Sequence, residues 1–357
     1  MKLRSIFAVG VGSFALALGG VYLYHTFLAG PKFASQASRS TASQYLPGSI
    51  CQNFYQSICK RTGLITDPTG TVHTDIADEK SVLALYQEII RENPEWSSDQ
   101  VDDELVGKIY TSERRQKFEE TFRWVQDAIE RLIESQPSVT FTSQEKLQLI
   151  HRVKKTQLEL PPPASVYADE PDLLTKTDVF YERVMGGTQR LRVGGAFFYS
   201  SKSVFNLVFT IAHELAHSID PCEARNARLS FPSYDRIKGC FLRNGFIATR
   251  KTRSECGKND QLSEIFADWI AVQITVDAIA VLGAQFTAEQ KLNAAMNSVR
   301  DLCDEEDSSV ELDFEFHPRP EVRINQIFGM NPAVRNIVGC QPVAEAPPYC
   351  SFESTAL

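Results

Sequence analysis

Residues 209–220 read FTIAHELAHSID and contain the pattern H-E-x-x-H within an otherwise apolar segment. On a helix, residues four apart lie on one face, so His213 and His217 can direct imidazole nitrogens to one ion. Glu214 then lies beside that ion. A zinc ion lowers the pKa of a bound water from about 15.7 to roughly 7, and Glu214 could take the released proton. The stretch predicts a helix that binds one Zn2+ ion.

The alternative interpretation of these histidines is packing, because a histidine on an apolar helix is more often a core residue than a ligand. The chain has six histidines among 357 residues. With so few, an accidental H-E-x-x-H is expected in roughly one chain in a hundred of this composition. Composition therefore favours a metal site over packing.

A third ligand is expected from a second apolar helical segment, residues 262–271, with the sequence LSEIFADWIA. Zinc hydrolases usually have three protein ligands and leave the fourth position to water. Glu264 and Asp268 are four residues apart on this segment, and buried carboxylates are costly without a metal, an arginine or a histidine nearby. We assign Glu264 to the metal and Asp268 to a hydrogen bond with a ligand imidazole. Asp220, three residues after His217, could act in the same way.

The last histidine of the chain lies in FHPRPEVRI, residues 316–324. His317 could donate a hydrogen bond to the oxyanion that forms when water attacks a peptide carbonyl. Arg323 could either hold a substrate carbonyl or orient the carboxylates. His73 and His151 lie outside any such group and are interpreted as surface or packing residues.

Composition places the chain among globular proteins, with 43% hydrophobic and 23% charged residues. The net charge is -8 and no cluster of Lys and Arg is present. Phosphate binding would need such a cluster, so nucleic acid is excluded as the main partner. The expected partners are a peptide or protein substrate and a membrane.

The membrane is expected from residues 5–30, which carry no charge and follow Lys2 and Arg4. This length can cross a bilayer as a helix, and the positive residues before it place a tail of residues 1–4 in the cytoplasm. The body would then face the extracytoplasmic or periplasmic side of a single-pass anchor. A cleaved signal peptide, with residues 15–17 (ALA) as its site, is the alternative and would give a secreted protein.

Eight cysteines follow the apolar segment, and none forms a C-x-x-C pair. Disulfide bonds are their expected use, because a cysteine-based zinc cluster would normally have tighter spacing. Eight cysteines allow 105 pairings, so the residues by themselves leave the pairing open. The cysteines are Cys51, Cys59, Cys222, Cys240, Cys256, Cys303, Cys340 and Cys350.

The domain organisation predicted for the rest of the chain is a linker over 31–48, a helical subdomain over 49–165 and a catalytic part over 166–357. The linker is rich in Ser, Ala and Gln. Proline residues 161–163 mark the boundary region between subdomain and catalytic part. The short aromatic stretch 193–199 reads as a strand ahead of the zinc helix, which could pair with substrate backbone.

Three amphipathic helices are predicted in the subdomain, and core packing is their expected role. The third should begin at the capping pattern Thr142-Ser143-Gln144-Glu145. Their apolar stripes comprise Val82, Leu85, Tyr86, Ile89 and Ile90; Phe118, Phe122, Val125, Ile129, Leu132 and Ile133; and Leu147, Ile150 and Val153.

The combination of these motifs resembles the neprilysin family of zinc endopeptidases. The matching features are collinear: Cys51-x-x-Phe54-Tyr55-x-x-x-Cys59, His213-Glu214-x-x-His217-x-x-Asp220, Glu264-x-x-Ala267-Asp268, His317 with Arg323 six residues later, and Cys340. The resemblance implies a mainly helical α+β fold, with a zincin-like catalytic domain and a type II membrane topology.

The resemblance also implies a set of residue roles. Zinc would be bound by His213, His217 and Glu264, with Glu214 as general base, Asp220 and Asp268 as orienting carboxylates, and His317 and Arg323 at oxyanion and substrate. It suggests the disulfides Cys51–Cys340 and Cys59–Cys303, with Cys350 joined to Cys240 or Cys256 and Cys222 to the other. The chain has about half the family's usual length, so the domain that restricts substrates to small peptides must be reduced or absent. Gly195-Ala196 replaces the usual Asn-Ala pair on the substrate-binding strand.

Two alternatives remain open. Membrane metallopeptidases of the CAAX-processing and heat-shock type share H-E-x-x-H, a later E-x-x-A-D and a His-Pro segment, but generally lack the cysteine pattern. A protein of another class is also conceivable, in which the zinc site is structural and the body is an envelope-bound binding or chaperone module. A peptidase assay with and without chelator separates this class from the enzyme.

Overall fold

The computed structural model describes residues 50–60, 79–161, 169–184, 187–200, 203–246, 261–307, 317–341 and 349–353. All of them belong to one unit, Pro47–Leu357. The predicted tail and anchor (1–30), the whole predicted linker (31–48), and residues His73 and Cys256 lie outside the described residues. The predicted division into a helical subdomain and a catalytic part stays a prediction.

The described chain is mainly helical with one small sheet, which confirms the expected α+β class. The α-helices are α1 (Phe54–Cys59), α2 (Glu79–Glu92), α3 (Ser98–Ile109), α4 (Ser112–Glu134), α5 (Ser143–Lys155), α6 (Gly195–Tyr199), α7 (Val204–Ala216), α8 (Pro221–Asn226), α9 (Pro232–Arg243), α10 (Gln261–Leu282), α11 (Ala288–Ser298) and α12 (Pro332–Ile337). The strands are β1 (Gln157–Glu159), β2 (Val179–Arg183) and β3 (Gln189–Val193). Shorter helical turns are three 3-10 segments, Pro171–Leu174, His217–Ile219 and Arg300–Asp307, and a π-helix, Val322–Phe328.

The predicted helices of the first half are present, with two corrections to their faces. Helix α5 begins with the predicted capping box, in which Thr142 and Glu145 bond each other's main-chain N–H groups. Its buried face is formed by Leu149 and Val153, whereas Leu147 is 68% exposed. Ile90 of α2 is likewise exposed. Capping fixes where a helix begins, but the neighbouring helix determines which of two apolar rows it covers.

The sheet has the order β1-β3-β2, with β1 parallel and β2 antiparallel to β3. The prediction of a strand over 193–199 is wrong, because β3 ends at Val193 and helix α6 follows. A Cβ atom on Gly194 or Gly195 would lie 2.2–2.3 Å from the carbonyl oxygen of Lys176 or Leu174. Two glycines thus allow the chain to cross its own backbone at this point and turn into a helix.

Aromatic packing stabilises α6 against the helices of the first half. The ring of Phe198 stacks on Tyr110 at 4.7 Å and contacts Phe118 at 5.5 Å. The Tyr110 hydroxyl donates a hydrogen bond to the carbonyl oxygen of Val193 at 3.1 Å. Tertiary contacts of this kind override the strand preference of the aromatic residues.

The centre of the fold is the pair α7 and α10, which run antiparallel because His213 contacts Asp268 while His217 contacts Ser263. Helix α10 is apolar around most of its circumference, as expected of a core helix. Among the described helices it alone is long and apolar enough to cross a membrane by length and composition. Two-thirds of its most apolar stretch (67%) is buried inside the protein.

Disulfide bonds join both ends of the described chain. The bonds Cys51–Cys340 and Cys59–Cys303 confirm the two suggested pairs. Cys350 is bonded to Cys240, which resolves the alternative left open for it. Cys222 is also disulfide-bonded. So many disulfide-bonded cysteines are typical of a protein in an oxidising compartment.

Candidate metal centre

Helices α7 and α10 bring His213, His217 and Glu264 together in a group that could hold a metal ion. The Nε2 atoms of the two histidines are 3.3 Å apart. Oε2 of Glu264 lies 3.2 Å from His213 Nε2 and 3.7 Å from His217 Nε2. The predicted third ligand therefore lies beside the predicted pair.

The local fold explains why the two histidines point the same way. Helix α7 begins at an N-cap, Ser203, and His213 lies in its last turn, while His217 begins the following 3-10 turn. The carbonyl groups at a helix C-terminus carry a partial negative charge, which favours a cation there. The remainder of α7 is almost wholly buried, so the imidazoles are held on rigid backbone.

Asp268 orients His213 from α10. The Nδ1–H group of His213 donates to Asp268 Oδ1 at 2.9 Å, because a carboxylate can only accept. In the neutral imidazole that metal binding requires, this bond leaves the Nε2 lone pair of His213 available for a metal ion. The predicted role of Asp268 fits this geometry.

Arg323 pairs with the same carboxylate. Its Nε and Nη2 atoms donate to Asp268 at 2.7 and 2.9 Å, and both side chains are buried. Two roles were predicted for Arg323. These hydrogen bonds correspond to the role in which it orients a carboxylate, and not to the role in which it contacts a substrate carbonyl. The π-helix Val322–Phe328 supplies Arg323 to the site.

Asp220 and Ser263 orient the second histidine. The Nδ1 atom of His217 lies 3.3 Å from Asp220 Oδ2 and 3.1 Å from Ser263 Oγ. The Ser263 hydroxyl also donates to Asp220, and Asp220 caps α8 by accepting from the Glu223 N–H at 2.6 Å. Sequence reasoning missed Ser263, whose only signal is its position next to Glu264.

Glu214 is held by the sheet. The main-chain N–H of Tyr181 in β2 donates to Glu214 Oε2 at 2.7 Å, and Oε1 lies 3.9 Å from His213 Nε2. Burial raises the pKa of Glu214, and the charge of Glu264 adds to this effect. Tyr181 was also missed, since its contribution comes from the backbone and leaves no residue pattern.

His317 lies at the open side of the centre. Its side chain is 42% exposed, and its Nε2 atom is 3.0 Å from Glu264 Oε2. The structure thus brings His317 to the predicted ligands. His151, in contrast, lies on the exposed face of α5, as expected for a surface residue.

Electrostatics make the group favourable for a cation. Burial lowers the pKa of His213, but the hydrogen bond to Asp268 and the nearby carboxylates of Glu264 and Glu214 outweigh it and raise that pKa to about 10. Burial raises the pKa of Asp268, but the charge of Arg323 and the bond from His213 outweigh it and lower that pKa to about 2. Oε2 of the largely buried Glu264 accepts no hydrogen bond of normal geometry from the described residues. A buried carboxylate oxygen without a donor is costly and would be satisfied by a metal ion.

Comparison of the chain with protein-family models, with curated proteins and with solved structures finds no match. The chemistry of the centre must therefore be argued from its own donor atoms. These are two imidazole nitrogens and one carboxylate oxygen around one position, with a second carboxylate, Glu214, beside it.

Proposed function

We propose that this protein is a zinc-dependent endopeptidase. The observation that carries the proposal is the position of Glu214, whose Oε1 atom lies 3.9 Å from Nε2 of His213, beside the group of His213, His217 and Glu264 that could hold a metal ion. A structural zinc site has four protein ligands and no need for an additional carboxylate. A hydrolytic site needs three ligands and a base.

Zinc is the metal that the donor set favours. Two imidazoles and one carboxylate are typical of zinc hydrolases, whereas calcium and magnesium prefer oxygen ligands throughout. Bonds of about 2.0–2.1 Å in a tetrahedral arrangement would separate ligand atoms by roughly 3.3–3.4 Å. The three separations in this centre are 3.2, 3.3 and 3.7 Å.

The residues of the chain have distinct tasks in peptide hydrolysis. When bound, zinc supplies a Lewis acid that acidifies water and polarises the scissile carbonyl. Glu214 accepts the proton of the attacking water at Oε1 and passes it to the leaving amine. His317 donates a hydrogen bond to the developing oxyanion. Asp268 and Asp220 keep the two imidazoles in the tautomer and orientation that metal binding requires.

A peptide substrate can bind along strand β2. This strand takes the role in substrate pairing that was predicted for the stretch 193–199. Among the described strands, β2 has a neighbour, β3, on one side only. Its outer edge lies at Glu214, which accepts the Tyr181 N–H, and the main-chain groups that remain on this edge can pair with an extended peptide through hydrogen bonds. Such pairing favours peptide or protein substrates over small molecules.

The proposed location is the extracytoplasmic side of a membrane, with residues 5–30 as a single-pass anchor. Disulfide bonds persist in oxidising compartments, which supports this side. A secreted form after cleavage is the alternative. The bonds Cys51–Cys340 and Cys59–Cys303 agree with membership in the neprilysin-like class, which we keep as part of the proposal.

The proposal is tested by the variant Glu214→Gln. Gln cannot accept the proton, so cleavage of a quenched-peptide library should fall by at least about 100-fold. Zinc content by elemental analysis should stay at one ion per chain, because Glu214 is not a ligand. Glu289→Gln, at an exposed position in α11, is the matched control and should leave both unchanged.

Three results would overturn the proposal. The first two are undiminished cleavage by Glu214→Gln and wild-type protein that binds no zinc. Zinc-loaded wild-type protein without chelator-sensitive cleavage would point instead to the non-catalytic class with a structural metal.

A further inference from the structure

The two oxygens of the Glu214 carboxylate have different surroundings. Oε2 accepts the Tyr181 N–H at 2.7 Å, whereas Oε1 lies on the side of His213 Nε2, at 3.9 Å. Among the described residues, the Tyr181 N–H is the hydrogen-bond donor to this carboxylate. Glu214 therefore has one oxygen anchored by the strand and one oxygen on the side of His213.

The direction of the Tyr181 N–H follows from the register of the sheet. In an antiparallel pair, alternate residues exchange hydrogen bonds with the partner strand. Asp178 accepts from the Gly194 N–H and Val184 donates to the Thr188 carbonyl, so the even-numbered residues of β2 face β3. The odd-numbered residues, Tyr181 among them, direct their main-chain groups to the free edge.

Ion pairs hold β2 in this register. Glu182 accepts from Arg190 Nε at 2.7 Å and from Arg192 Nη1 at 3.3 Å, and both arginines belong to β3. Arg192 is almost wholly buried and also contacts the Phe180 ring at 5.2 Å. The Tyr181 N–H is thus presented from a fixed strand rather than from a loop.

We propose that the main-chain N–H of Tyr181 is the positioning group of the general base, which fixes Oε2 of Glu214 so that Oε1 points to the reacting water. This inference rests on the proposed function, because it assigns how the base of that same site is oriented. It makes the edge strand part of the catalytic arrangement. A side-chain substitution at Tyr181 that preserves the N–H should therefore matter less than removal of the N–H itself.

Replacement of Tyr181 by its α-hydroxy acid counterpart removes this N–H and keeps the side chain, because the peptide bond becomes an ester. A hydrogen bond to a charged group is worth a factor of about 10–100. We expect kcat to fall by about that factor, with KM and zinc content unchanged. The same replacement at Glu289 is the control: it lies in the first turn of α11, away from the site, where helix N–H groups have no intrahelical acceptor, and it should leave kcat within about twofold.

A genetic version compares Tyr181→Ala with Tyr181→Pro. Proline lacks the N–H and is tolerated at the outward-facing positions of edge strands. The proline variant should lose kcat well beyond the alanine variant. A fall in kcat of equal size for the two variants, or an ester that retains wild-type kcat, would overturn the inference.

A second measurement does not depend on turnover. In metal-free, 15N-tyrosine-labelled full-length protein, the Tyr181 amide proton should resonate downfield and move upfield in Glu214→Ala. The Tyr110 amide, which donates to the Val106 carbonyl, is the internal reference and should stay in place. An unmoved Tyr181 resonance would overturn the contact. If the contact is present but wild-type protein cleaves no peptide, the proposed function fails while the positioning of Glu214 stands.

Discussion

At the scale of single residues, Asp268 is the carboxylate on which the centre depends, because it bonds His213 on one side and Arg323 on the other. Its side chain is 1% exposed and that of Arg323 is 4% exposed. Both charges are therefore desolvated, and each needs the other. The pair affects stability mainly because removal of one residue would leave the charge of the other buried and unpaired.

We expect Arg323→Met to lower the free energy of unfolding by about 3–5 kcal/mol, because it leaves the Asp268 charge buried and unpaired. Zinc affinity should fall by about 10–100-fold, as is usual when a partner of a ligating histidine is disturbed. Urea unfolding and chelator competition measure the two effects.

The matched control for that variant is Arg131→Met. Arg131 pairs with Asp277 at 2.9 Å, but the two side chains are 51% and 40% exposed. A solvated pair of this kind is worth about 0–1 kcal/mol. Equal losses for the two arginine variants would contradict the argument from burial.

The pH dependence of the metal-free protein follows from His213. Its pKa is about 10 in the folded chain, against about 6.5 in an unfolded chain. A raised pKa contributes stability fully below pH 6.5, and this contribution is lost as the pH rises toward 10. We expect the free energy of unfolding of chelated protein to fall between pH 6.5 and 9. Zinc binding needs neutral imidazoles. The free energy of unfolding of zinc-loaded protein should therefore rise, relative to that of the chelated protein, over the same pH range. Urea titrations at several pH values compare the two, and parallel curves would contradict the prediction.

The candidate metal ligands could be predicted from sequence, but the residues that orient them only in part. His213, His217 and Glu264 follow from helical spacing and from the cost of carboxylates in an apolar segment. Tyr181 acts through a main-chain N–H, which every residue except proline possesses, so no residue type marks it. Ser263 is found only once its distance to His217 is known.

At the scale of elements, the start of α6 lies directly against the chain segment that precedes β2, and this close approach depends on Gly195. A Cβ atom there would lie 2.2 Å from the Leu174 carbonyl oxygen, which is backbone and cannot move aside cheaply. We expect Gly195→Ala to lower the free energy of unfolding by about 1–3 kcal/mol. Gly107 in α3 has nothing within 4 Å of its Cβ position. Gly107→Ala should therefore raise the free energy of unfolding by about 1 kcal/mol, because alanine favours the helix more than glycine does. Denaturant unfolding gives both values, and the same sign for both would contradict the prediction.

The helices were more predictable than the strands because their signals are local. Helix α3 was missed although Ser97 and Gln100 form a capping box and Val101, Leu105 and Ile109 are buried at helical spacing. Its signal is present in the sequence. The stretch 193–199 differs in kind, since its helix depends on contacts with Leu174 and Tyr110 from distant parts of the chain.

At the scale of the whole molecule, the N-terminal helix α1 stabilises the element that carries Arg323. The Tyr55 N–H donates to Asn325 Oδ1 at 2.8 Å, and the ring of Phe54 contacts Phe328 edge-on at 6.2 Å. Asn325 and Phe328 belong to the same π-helix as Arg323. The start of the body is thus connected to the metal centre through one short helical element.

Two disulfides fix α1 to the C-terminal half, and their entropic effects are coupled. Either bond alone would close a loop of more than 240 residues, worth about 5–6 kcal/mol in the chain-entropy model. With Cys59–Cys303 in place, Cys51–Cys340 closes only the segments 51–59 and 303–340, a ring of about 45 residues. That smaller ring is worth about 4 kcal/mol. The second bond therefore adds less than the first, and the loss of both should exceed twice the loss of one.

We accordingly expect the paired replacement Cys51→Ala and Cys340→Ala to lower the free energy of unfolding by about 4 kcal/mol, and Cys59→Ala with Cys303→Ala to do the same. Each variant should still fold, because the remaining bond still joins the α1 region to the C-terminal half. Removal of both bonds should cost about 9–10 kcal/mol, which is comparable to the whole stability of a typical domain, so that variant should unfold at ambient temperature. Urea unfolding of the three variants measures this. A fourfold-substituted chain that loses only as much as either pair would show that the two bonds do not act through the shared loop.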